Sequence, residues 1–221
     1  METYHKIQTV YKRDPETKFK TLLEGQFSLP EFEYLKDTVW CWDEKIDGTN
    51  IRVQWHSLEG QGEVADIVGN ELTFKGKTDT SGMYPGLEKA LNNLFMPKIE
   101  TFRKLFGEKA VCFYGEGYGP KIQKVGGLYR ATPGFILFDV LIGYTWLRRE
   151  DVKKVAEELE VDVVPSVGRG NLRTMVEVTR DGFNSAFGNF TAEGIVARPE
   201  IELCDRMGRR IITKIKHKDF K

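Results

Sequence analysis

The chain has 221 residues, enough for one large domain or two small ones with a substantial hydrophobic core. Lysines and arginines (33) balance aspartates and glutamates (33), so the overall charge favours neither nucleic acid nor membrane as a partner. The most apolar run, FILFDVLIG (135–143), is too short to cross a bilayer, and the N-terminus has no apolar signal segment. Three widely spaced cysteines form neither a disulfide framework nor a zinc pattern, and together these features predict a soluble cytoplasmic protein.

Runs rich in β-branched and aromatic residues predict strands along most of the chain. The runs are 39–46, 50–56, 71–77, 109–115, 134–142, 193–199 and 210–216. Helical spacing of apolar residues predicts helices over 86–107, where Pro97 should kink or split the helix, over 148–160 and over 171–180. Many strands without regular βαβ alternation predict an α+β fold with largely antiparallel sheets and flanking helices. No linker or repeat is visible, so residues 1–221 are expected to form a single domain.

The stretch WDEKIDGTNIRV (42–53) contains the pattern KxDG, with Lys45 as its first residue. A lone KxDG arises by chance in roughly one protein of this size in twenty, so its companions decide what it means. Four segments follow it in order along the chain: FYGEGYG (113–119), FILFDV (135–140), AEGIVARP (192–199) and TKIK (213–216). There is no GxxxxGK[ST] loop and no GxGxxG turn, so a bound nucleotide would have to be held by side chains.

This order of motifs resembles the covalent nucleotidyltransferase superfamily of polynucleotide ligases and messenger-RNA capping enzymes. KxDGTN and FxxFDV are most similar to the RNA ligase 2-type family of ATP-dependent RNA ligases, and the resemblance covers roughly residues 40–216. It implies an ATP-grasp-like nucleotidyltransferase domain that uses ATP as AMP donor together with Mg²⁺ or Mn²⁺. Ligases of this superfamily usually carry a further OB-fold or helical module, which we do not expect within 1–221. The sequence leaves open whether the chain is a natural minimal ligase or part of a longer one.

Nucleotidyl transfer through a lysine–AMP phosphoramidate requires a neutral amine. A free lysine has a pKa of about 10.4, so less than roughly 0.1% of it is neutral at pH 7, and burial or nearby positive charge must raise that fraction. Lys214 and Lys216 alternate with Ile215 on a predicted strand, so both lysines point to one face, which suits a triphosphate. The alternative is an exposed strand edge that the lysines protect from pairing.

The resemblance assigns roles to the nucleotide-binding residues. Lys45 would attack the α-phosphate of ATP, Glu44 would contact the adenine edge, and Asn50 the ribose or its neighbouring phosphate. Asp47 and Gly48 would shape the turn after Lys45. A second set follows in later motifs: Phe138 would stack on adenine, Glu116 would contact the ribose or a metal-bound water, Glu193 would hold the divalent ion, Lys214 and Lys216 would bind the phosphates, and Lys77 would replace an arginine that commonly contacts phosphate.

Period-two alternation over FILFDV predicts that Phe135 and Phe138 lie on opposite faces of one strand. One of the two would then belong to the core while the other forms the adenine platform. The same alternation predicts that Asp139 faces away from Phe138 and has a structural role.

A nucleic-acid contact is predicted in KIQKVGGLYR (121–130), where Lys121, Lys124 and Arg130 lie close in sequence to Tyr118 and Tyr129. Cations interleaved with aromatic residues suit phosphate contacts and base stacking, although the same segment would also suit an ordinary polar loop.

The predicted function is ATP-dependent joining of RNA 5′-phosphate and 3′-hydroxyl ends, in a nicked duplex or a single strand, with RNA repair as the biological role. A separate domain or protein would supply further grip on the RNA, and no membrane partner is expected. The alternatives are a DNA nick ligase, a capping guanylyltransferase and a noncatalytic nucleic-acid-binding module.

Overall fold

The computed structural model describes residues 3–56 and 72–221. The chain forms two compact units. The first unit contains residues 3–4 and Asp47–Val163, and the second contains His5–Ile46 and Val164–Lys221. In these described ranges no helix is long and apolar enough to cross a membrane. The expectation of a single domain over 1–221 stays a prediction.

The first unit is built on an antiparallel sheet with strand order β6-β5-β7-β8-β9. Its strands are β5 (Thr49–Trp55), β6 (Leu72–Lys75), β7 (Val111–Tyr118), β8 (Gly134–Ile142) and β9 (Thr145–Trp146). Its helices are α2 (Pro85–Phe95), α3 (Ile99–Phe106), α4 (Gly126–Tyr129) and α5 (Arg149–Glu158).

Helices α2, α3 and α5 cover the apolar face of this sheet. Phe95, Phe102 and Phe113 are almost fully buried, and their rings lie 5.2–6.3 Å apart in edge-on pairs. Pro97 interrupts the helical run at a short 3₁₀ turn, Met96–Lys98, because a proline lacks the N–H that a continuous helix would use. The predicted split of this helix is therefore confirmed.

The second unit contains a sheet with strand order β1-β12-β11-β4-β10 and a separate hairpin, β2-β3. Its strands are β1 (Gln8–Thr9), β2 (Tyr11–Arg13), β3 (Leu22–Phe27), β4 (Trp40–Lys45), β10 (Ser166–Gly170), β11 (Gly194–Pro199) and β12 (Thr213–Lys216), and its helices are α1 (Pro30–Tyr34) and α6 (Leu172–Asp181). All pairs in the five-stranded sheet are antiparallel except β1 with β12.

One face of the second sheet packs into a core that includes residues from α6. Trp40, Ile195 and Ile215 from the strands and Leu172 and Met175 from the helix are fully buried there. Asn171 caps α6 by accepting a hydrogen bond from the Thr174 N–H at 2.9 Å. The mixed α+β class with mainly antiparallel sheets is confirmed.

Each of the seven predicted strands has a counterpart in the structure, several of them with altered ends. The strand predicted over 109–115 continues to Tyr118, and the one predicted over 210–216 begins only at Thr213. Before Thr213 the side chain of Arg210 pairs with Glu202, and Arg210 forms an isolated bridge with Cys204. Of the strand predicted over 71–77, Leu72–Lys75 is present, while residue 71 lies outside the described residues.

Candidate active site

Lys45 and Lys216 lie in one row across the second unit's sheet, with Gly194 between them. Gly194 of β11 pairs with Lys45 of β4 on one side and with Lys216 of β12 on the other. A Cβ atom at Gly194 would lie 2.1 Å from the carbonyl oxygen of Ile215 and 2.7 Å from the Cα of Lys216. Glycine therefore permits the close approach of β11 to β12 that brings the two lysines to either side of one strand.

Glu193 joins these two lysines with a single carboxylate. Its Oε2 lies 2.6 Å from the Lys45 Nζ, and its Oε1 lies 2.6 Å from the Lys216 Nζ. The side chains are 10% exposed for Glu193, 19% for Lys45 and 24% for Lys216, so all three are largely withdrawn from water while remaining reachable. Such an arrangement balances two cations with one anion and leaves a positive charge for a polyanionic ligand.

More charged residues share this face of the sheet because directly opposed residues in antiparallel pairs point the same way. Lys214, Val196 and Asp43 form the next row along the three strands. Arg198 follows on β11, and its Nη2 lies 3.8 Å from the Asp43 carboxylate. Lys214 and Arg198 therefore lie on the same face as Lys45 and Lys216, together with the carboxylates of Asp43 and Glu193.

Glu44 occupies the opposite face of β4. Its cross-strand neighbour is Ile195, which is itself opposite Ile215, and both isoleucines are fully buried. The Glu44 carboxylate is 1% exposed and accepts hydrogen bonds from the Ser185 hydroxyl at 2.6 Å and the Ala186 N–H at 2.9 Å. Its predicted contact with the adenine edge stays a prediction.

In the first unit, Asn50 and Glu116 are directly paired across β5 and β7. The Asn50 Oδ1 is buried and accepts no hydrogen bond from the described residues. Gly48 lies against this pair, since a Cβ there would come within 2.4 Å of the Gly117 carbonyl oxygen and 2.6 Å of the Glu116 Cγ. The turn after Lys45 therefore has room only for glycine at position 48, and the predicted role of Gly48 beside a phosphate stays a prediction. The N–H of Asp47 donates to the Tyr129 hydroxyl at 3.2 Å.

Lys77 lies exposed in a turn that a buried arginine organises. Arg52 is fully buried on β5, and its Nε donates to the Gly76 carbonyl oxygen at 3.1 Å while its Nη2 lies 2.7 Å from the Asp79 carboxylate. The guanidinium holds the pKa of Asp79 below its usual value through this hydrogen bond. Arg52 thus fixes the segment that presents Lys77, a role that sequence analysis missed.

Phe138 lies at a β-bulge, and this corrects one expectation. Asp139 pairs with Tyr114 and Leu137 pairs with Gly115, so Phe138 is the extra residue on β8. Tyr4 contacts both neighbours: its ring lies 5.0 Å from the Phe138 ring, and its hydroxyl donates to Asp139 at 2.8 Å. The prediction that Asp139 faces away from Phe138 is therefore wrong, because the bulge interrupts strict alternation.

One of the two phenylalanines of FILFDV belongs to the core, as predicted, and the adenine platform stays a prediction. Phe135 is 2% exposed in the core of the first unit, whereas Phe138 is partly exposed and lies outside that core.

The predicted nucleic-acid segment combines exposed and engaged cations. Lys121 and Lys124 are exposed, whereas the Arg130 guanidinium lies 5.4 Å from the centre of the Tyr118 ring and packs against Gly134. Gln123 donates to the Gly48 carbonyl oxygen at 2.9 Å, which connects the segment to the turn after Lys45. Arg130 therefore has a structural contact, while the two lysines can reach a ligand.

A dedicated metal centre is not found among residues 3–56 and 72–221, which contain no cluster of three His, Cys, Asp or Glu side chains. The predicted metal residues Glu193 and Glu116 belong to different units. One carboxylate per site suits an ion that takes its remaining ligands from phosphate and water, as Mg²⁺ commonly does.

An ion pair between Asp219 and Arg13 next to Lys216 is a second feature that sequence analysis missed. The Asp219 side chain is 4% exposed; its Oδ2 accepts a hydrogen bond from the Lys216 N–H at 3.1 Å, and its Oδ1 lies 2.6 Å from the Arg13 guanidinium. The pair fixes the backbone at Lys216. Only the three-dimensional structure could reveal it, because Arg13 and Asp219 are 206 positions apart.

The model of the RNA ligase family matches residues 38–216, so the chain belongs to the RNA ligase family. Among curated protein sequences no match is found.

Several solved structures of an RNA ligase from Naegleria gruberi are similar in fold. With its pyrophosphate complex the chain shares 16% identity over 98% of its own length and 57% of the other, at a TM-score of 0.63. An apo variant gives 14% identity, 97% and 56% coverage and a TM-score of 0.63. With a variant bound to ATP and manganese the identity is 15%, over 85% of this chain and 52% of the other, at a TM-score of 0.61. The chain thus spans little more than half the length of these ligases.

Proposed function

We propose that the protein is an ATP-dependent RNA ligase that works through a lysine–AMP intermediate on Lys45. The observation that supports this most directly is the Glu193 carboxylate held at 2.6 Å from both Lys45 and Lys216 across Gly194. A lone surface lysine would not need a second cation and a shared, largely buried carboxylate. A lysine nucleophile that binds a triphosphate needs both the additional positive charge and a carboxylate that balances it in the free enzyme.

In the first step the Lys45 Nζ attacks the α-phosphorus of ATP. A nitrogen–phosphorus bond forms, the bond between the α- and β-phosphates breaks, and pyrophosphate leaves with the electron pair. The ammonium must lose its proton beforehand, because only the neutral amine has the lone pair that attacks phosphorus. Lys214 and Lys216 stabilise the charge that develops on the departing pyrophosphate.

Glu193 is the residue in the second unit that would hold a divalent ion. Bound there, Mg²⁺ or Mn²⁺ would neutralise phosphate charge and compete with the two lysines for the carboxylate. The complex of the Naegleria ligase with ATP and manganese supports this choice of nucleotide and ion. Glu116, Asn50, Phe138 and Lys77 keep their predicted roles toward metal, ribose, adenine and phosphate.

In the later steps AMP passes from Lys45 to an RNA 5′-phosphate. An oxygen of that phosphate attacks the adenylate phosphorus, and the bond from nitrogen to phosphorus breaks. The RNA 3′-hydroxyl then attacks the activated 5′-phosphorus, a phosphodiester forms, and AMP leaves. Membership of the RNA ligase family supports RNA as the polynucleotide.

Lys121 and Lys124 are proposed to contact RNA phosphates because both are exposed. Replacing both with alanine should raise the KM for RNA and leave the KM for ATP unchanged. The salt dependence of RNA binding should also become less steep, because fewer counterions are released. Arg130→Ala should instead reduce stability, because its guanidinium packs on Tyr118. A separate domain or protein would supply further grip on the RNA.

The direct test is incubation with α-labelled ATP or GTP and Mg²⁺, followed by denaturing electrophoresis. We expect acid-labile label from ATP on the wild type and none on Lys45→Ala. Lys36→Ala, which removes an exposed lysine of the same unit, is the matched control and should label normally. Absence of label with both nucleotides would refute the proposal, and label from GTP alone would favour capping chemistry.

A panel of 5′-phosphorylated RNA, DNA and nicked duplexes then identifies the polynucleotide. Sealing of RNA ends supports the proposal and an RNA repair role, whereas sealing of DNA alone would favour a DNA nick ligase. RNA binding without label or sealing would favour a noncatalytic binding module.

The three cysteines Cys41, Cys112 and Cys204 are free thiols, which agrees with the proposed cytoplasmic setting.

A further inference from the structure

Glu44 is the residue immediately before the proposed nucleophile, yet its side chain faces the core. Strand alternation sends Lys45 and Glu44 to opposite faces of β4, and the buried Ile195 is the direct neighbour of Glu44 on β11. At 1% exposure, its carboxylate is withdrawn from any ligand on the Lys45 face. A buried carboxylate is costly unless hydrogen bonds compensate it, so its partners indicate its purpose.

Those partners belong to a tight hairpin, Phe183–Ala192. The hairpin is closed by hydrogen bonds from the Ala192 N–H to the Phe183 carbonyl oxygen at 2.9 Å and from the Ser185 N–H to the Phe190 carbonyl oxygen at 2.8 Å. The Ser185 hydroxyl, in a residue 6% exposed, donates to Glu44 and accepts from the Phe187 N–H at 3.2 Å. With the Ala186 N–H also donating to Glu44, the carboxylate organises the first half of the hairpin.

The hairpin leads directly into Glu193. Glu44 is therefore the sequence neighbour of Lys45, while its partners Ser185 and Ala186 belong to the hairpin that precedes Glu193. We propose that Glu44 is a positioning residue, which holds the Phe183–Ala192 hairpin and thereby keeps the Glu193 carboxylate in place beside Lys45, and that it does not select the nucleobase. The kinetic part of this proposal rests on the proposed function; the structural part does not.

Amide hydrogen exchange tests the structural part without any activity. In Glu44→Ala and Ser185→Ala, the amides of residues 185–187 should exchange about 10- to 100-fold faster than in the wild type, because charge-assisted hydrogen bonds are lost. Asn189→Ala, which removes an exposed side-chain contact with Asn184 in the same hairpin, is the control and should change exchange less than threefold. Unchanged exchange in Ser185→Ala would overturn the proposal, even if Glu44→Ala fails to fold.

Single-turnover labelling at saturating ATP, normalised to the titrated active fraction, tests the kinetic part. Glu44→Ala and Ser185→Ala should each lower the rate constant at least tenfold, and the double variant should be no slower than Glu44→Ala, because both act through one contact. Glu44→Gln can still accept from Ala186 and donate to the Ser185 oxygen, so it should retain most of the rate. A purely structural role would reduce the active fraction and leave this rate constant unchanged.

The ratio of ATP to GTP labelling rates separates positioning from base recognition. We expect the ratio in Glu44→Gln and Ser185→Ala to stay within threefold of the wild type. A large change in Glu44→Gln, together with a normal rate in Ser185→Ala, would show that Glu44 recognises the base and would overturn the proposal. If the wild type takes label from neither nucleotide, the proposed function fails, and hydrogen exchange alone decides the role of Glu44.

Discussion

Replacement of Gly194 by alanine perturbs the row that joins Lys45 and Lys216. The new Cβ would lie 2.1 Å from the Ile215 carbonyl oxygen, whereas ordinary contacts begin near 3.4 Å, so β11 and β12 must separate by more than 1 Å. The clash is with backbone and cannot be relieved by a side-chain rotation. Overpacking of this kind costs about 2–3 kcal/mol in the free energy of unfolding.

The same displacement should affect chemistry, because Lys216 would move away from the Glu193 carboxylate that now lies 2.6 Å away. We expect the rate of lysine labelling per active molecule to fall at least tenfold. Thermal unfolding should show a decrease in midpoint of about 4–12 °C, from the usual relation between free energy and Tm for a chain of this size.

Gly188→Ala is the matched control for this experiment. A Cβ there would meet only the Phe190 ring, at 3.5 Å, which is an ordinary contact. We expect a change in midpoint of less than about 2 °C and normal labelling. If Gly194→Ala were as stable and as active as Gly188→Ala, the close packing of β11 on β12 would be needed neither for stability nor for the position of Lys216.

Four further experiments test other parts of the structure. Arg52→Lys should lower the free energy of unfolding by about 1–3 kcal/mol, because lysine cannot bond both Gly76 and Asp79; chemical denaturation measures this, and a loss below 0.5 kcal/mol would contradict it. The stability that Asp79 adds should be present above its ordinary pKa of 3.8 and lost as the pH falls through its lowered folded-state pKa, as a comparison of wild type with Asp79→Asn across pH would show. Burial raises the pKa of the Cys112 thiol to about 11, so iodoacetamide at pH 8 should modify the exposed Cys204 and reach Cys112 only after unfolding; mass spectrometry that finds native Cys112 modified would refute this. Asp219→Asn should slow lysine labelling about 3- to 30-fold at saturating ATP, whereas the exposed-pair control Asp151→Asn should not, and equal rates in the two variants would exclude a role for Asp219 behind Lys216.

Local sequence signals predicted the parts of the fold in which local preference and tertiary packing agree. The β-branched run that becomes β8 and the Pro97 interruption are of this kind. Strand β10 was missed because SVGRG has two glycines and no apolar alternation. It pairs with β4 since Gly168 and Gly170 leave room for the Trp42 ring, a tertiary contact that no local pattern reveals.

The candidate site shows the same division. Lys45, Glu193 and Lys216 could be found because each belongs to a short motif, and the structure brings these three together. Glu44 also belongs to the motif, but strand alternation turns its side chain to the face of β4 opposite Lys45. Asp43 alternates with Lys45 on β4 and pairs with Arg198, so a search for charged residues two positions from the nucleophile could have found it. Arg52 acts across a turn and left no comparable signal.

The most direct test of the central claim is the position of the covalent adduct. Wild-type protein incubated with ATP and Mg²⁺ should gain the mass of one AMP moiety, and proteolysis should place it on the peptide that contains Lys45. Pyrophosphate should remove the adduct, because the reverse of the first step transfers AMP from Lys45 back to pyrophosphate and regenerates ATP. An adduct on a different lysine, or an unchanged mass in protein shown to be folded, would contradict the account.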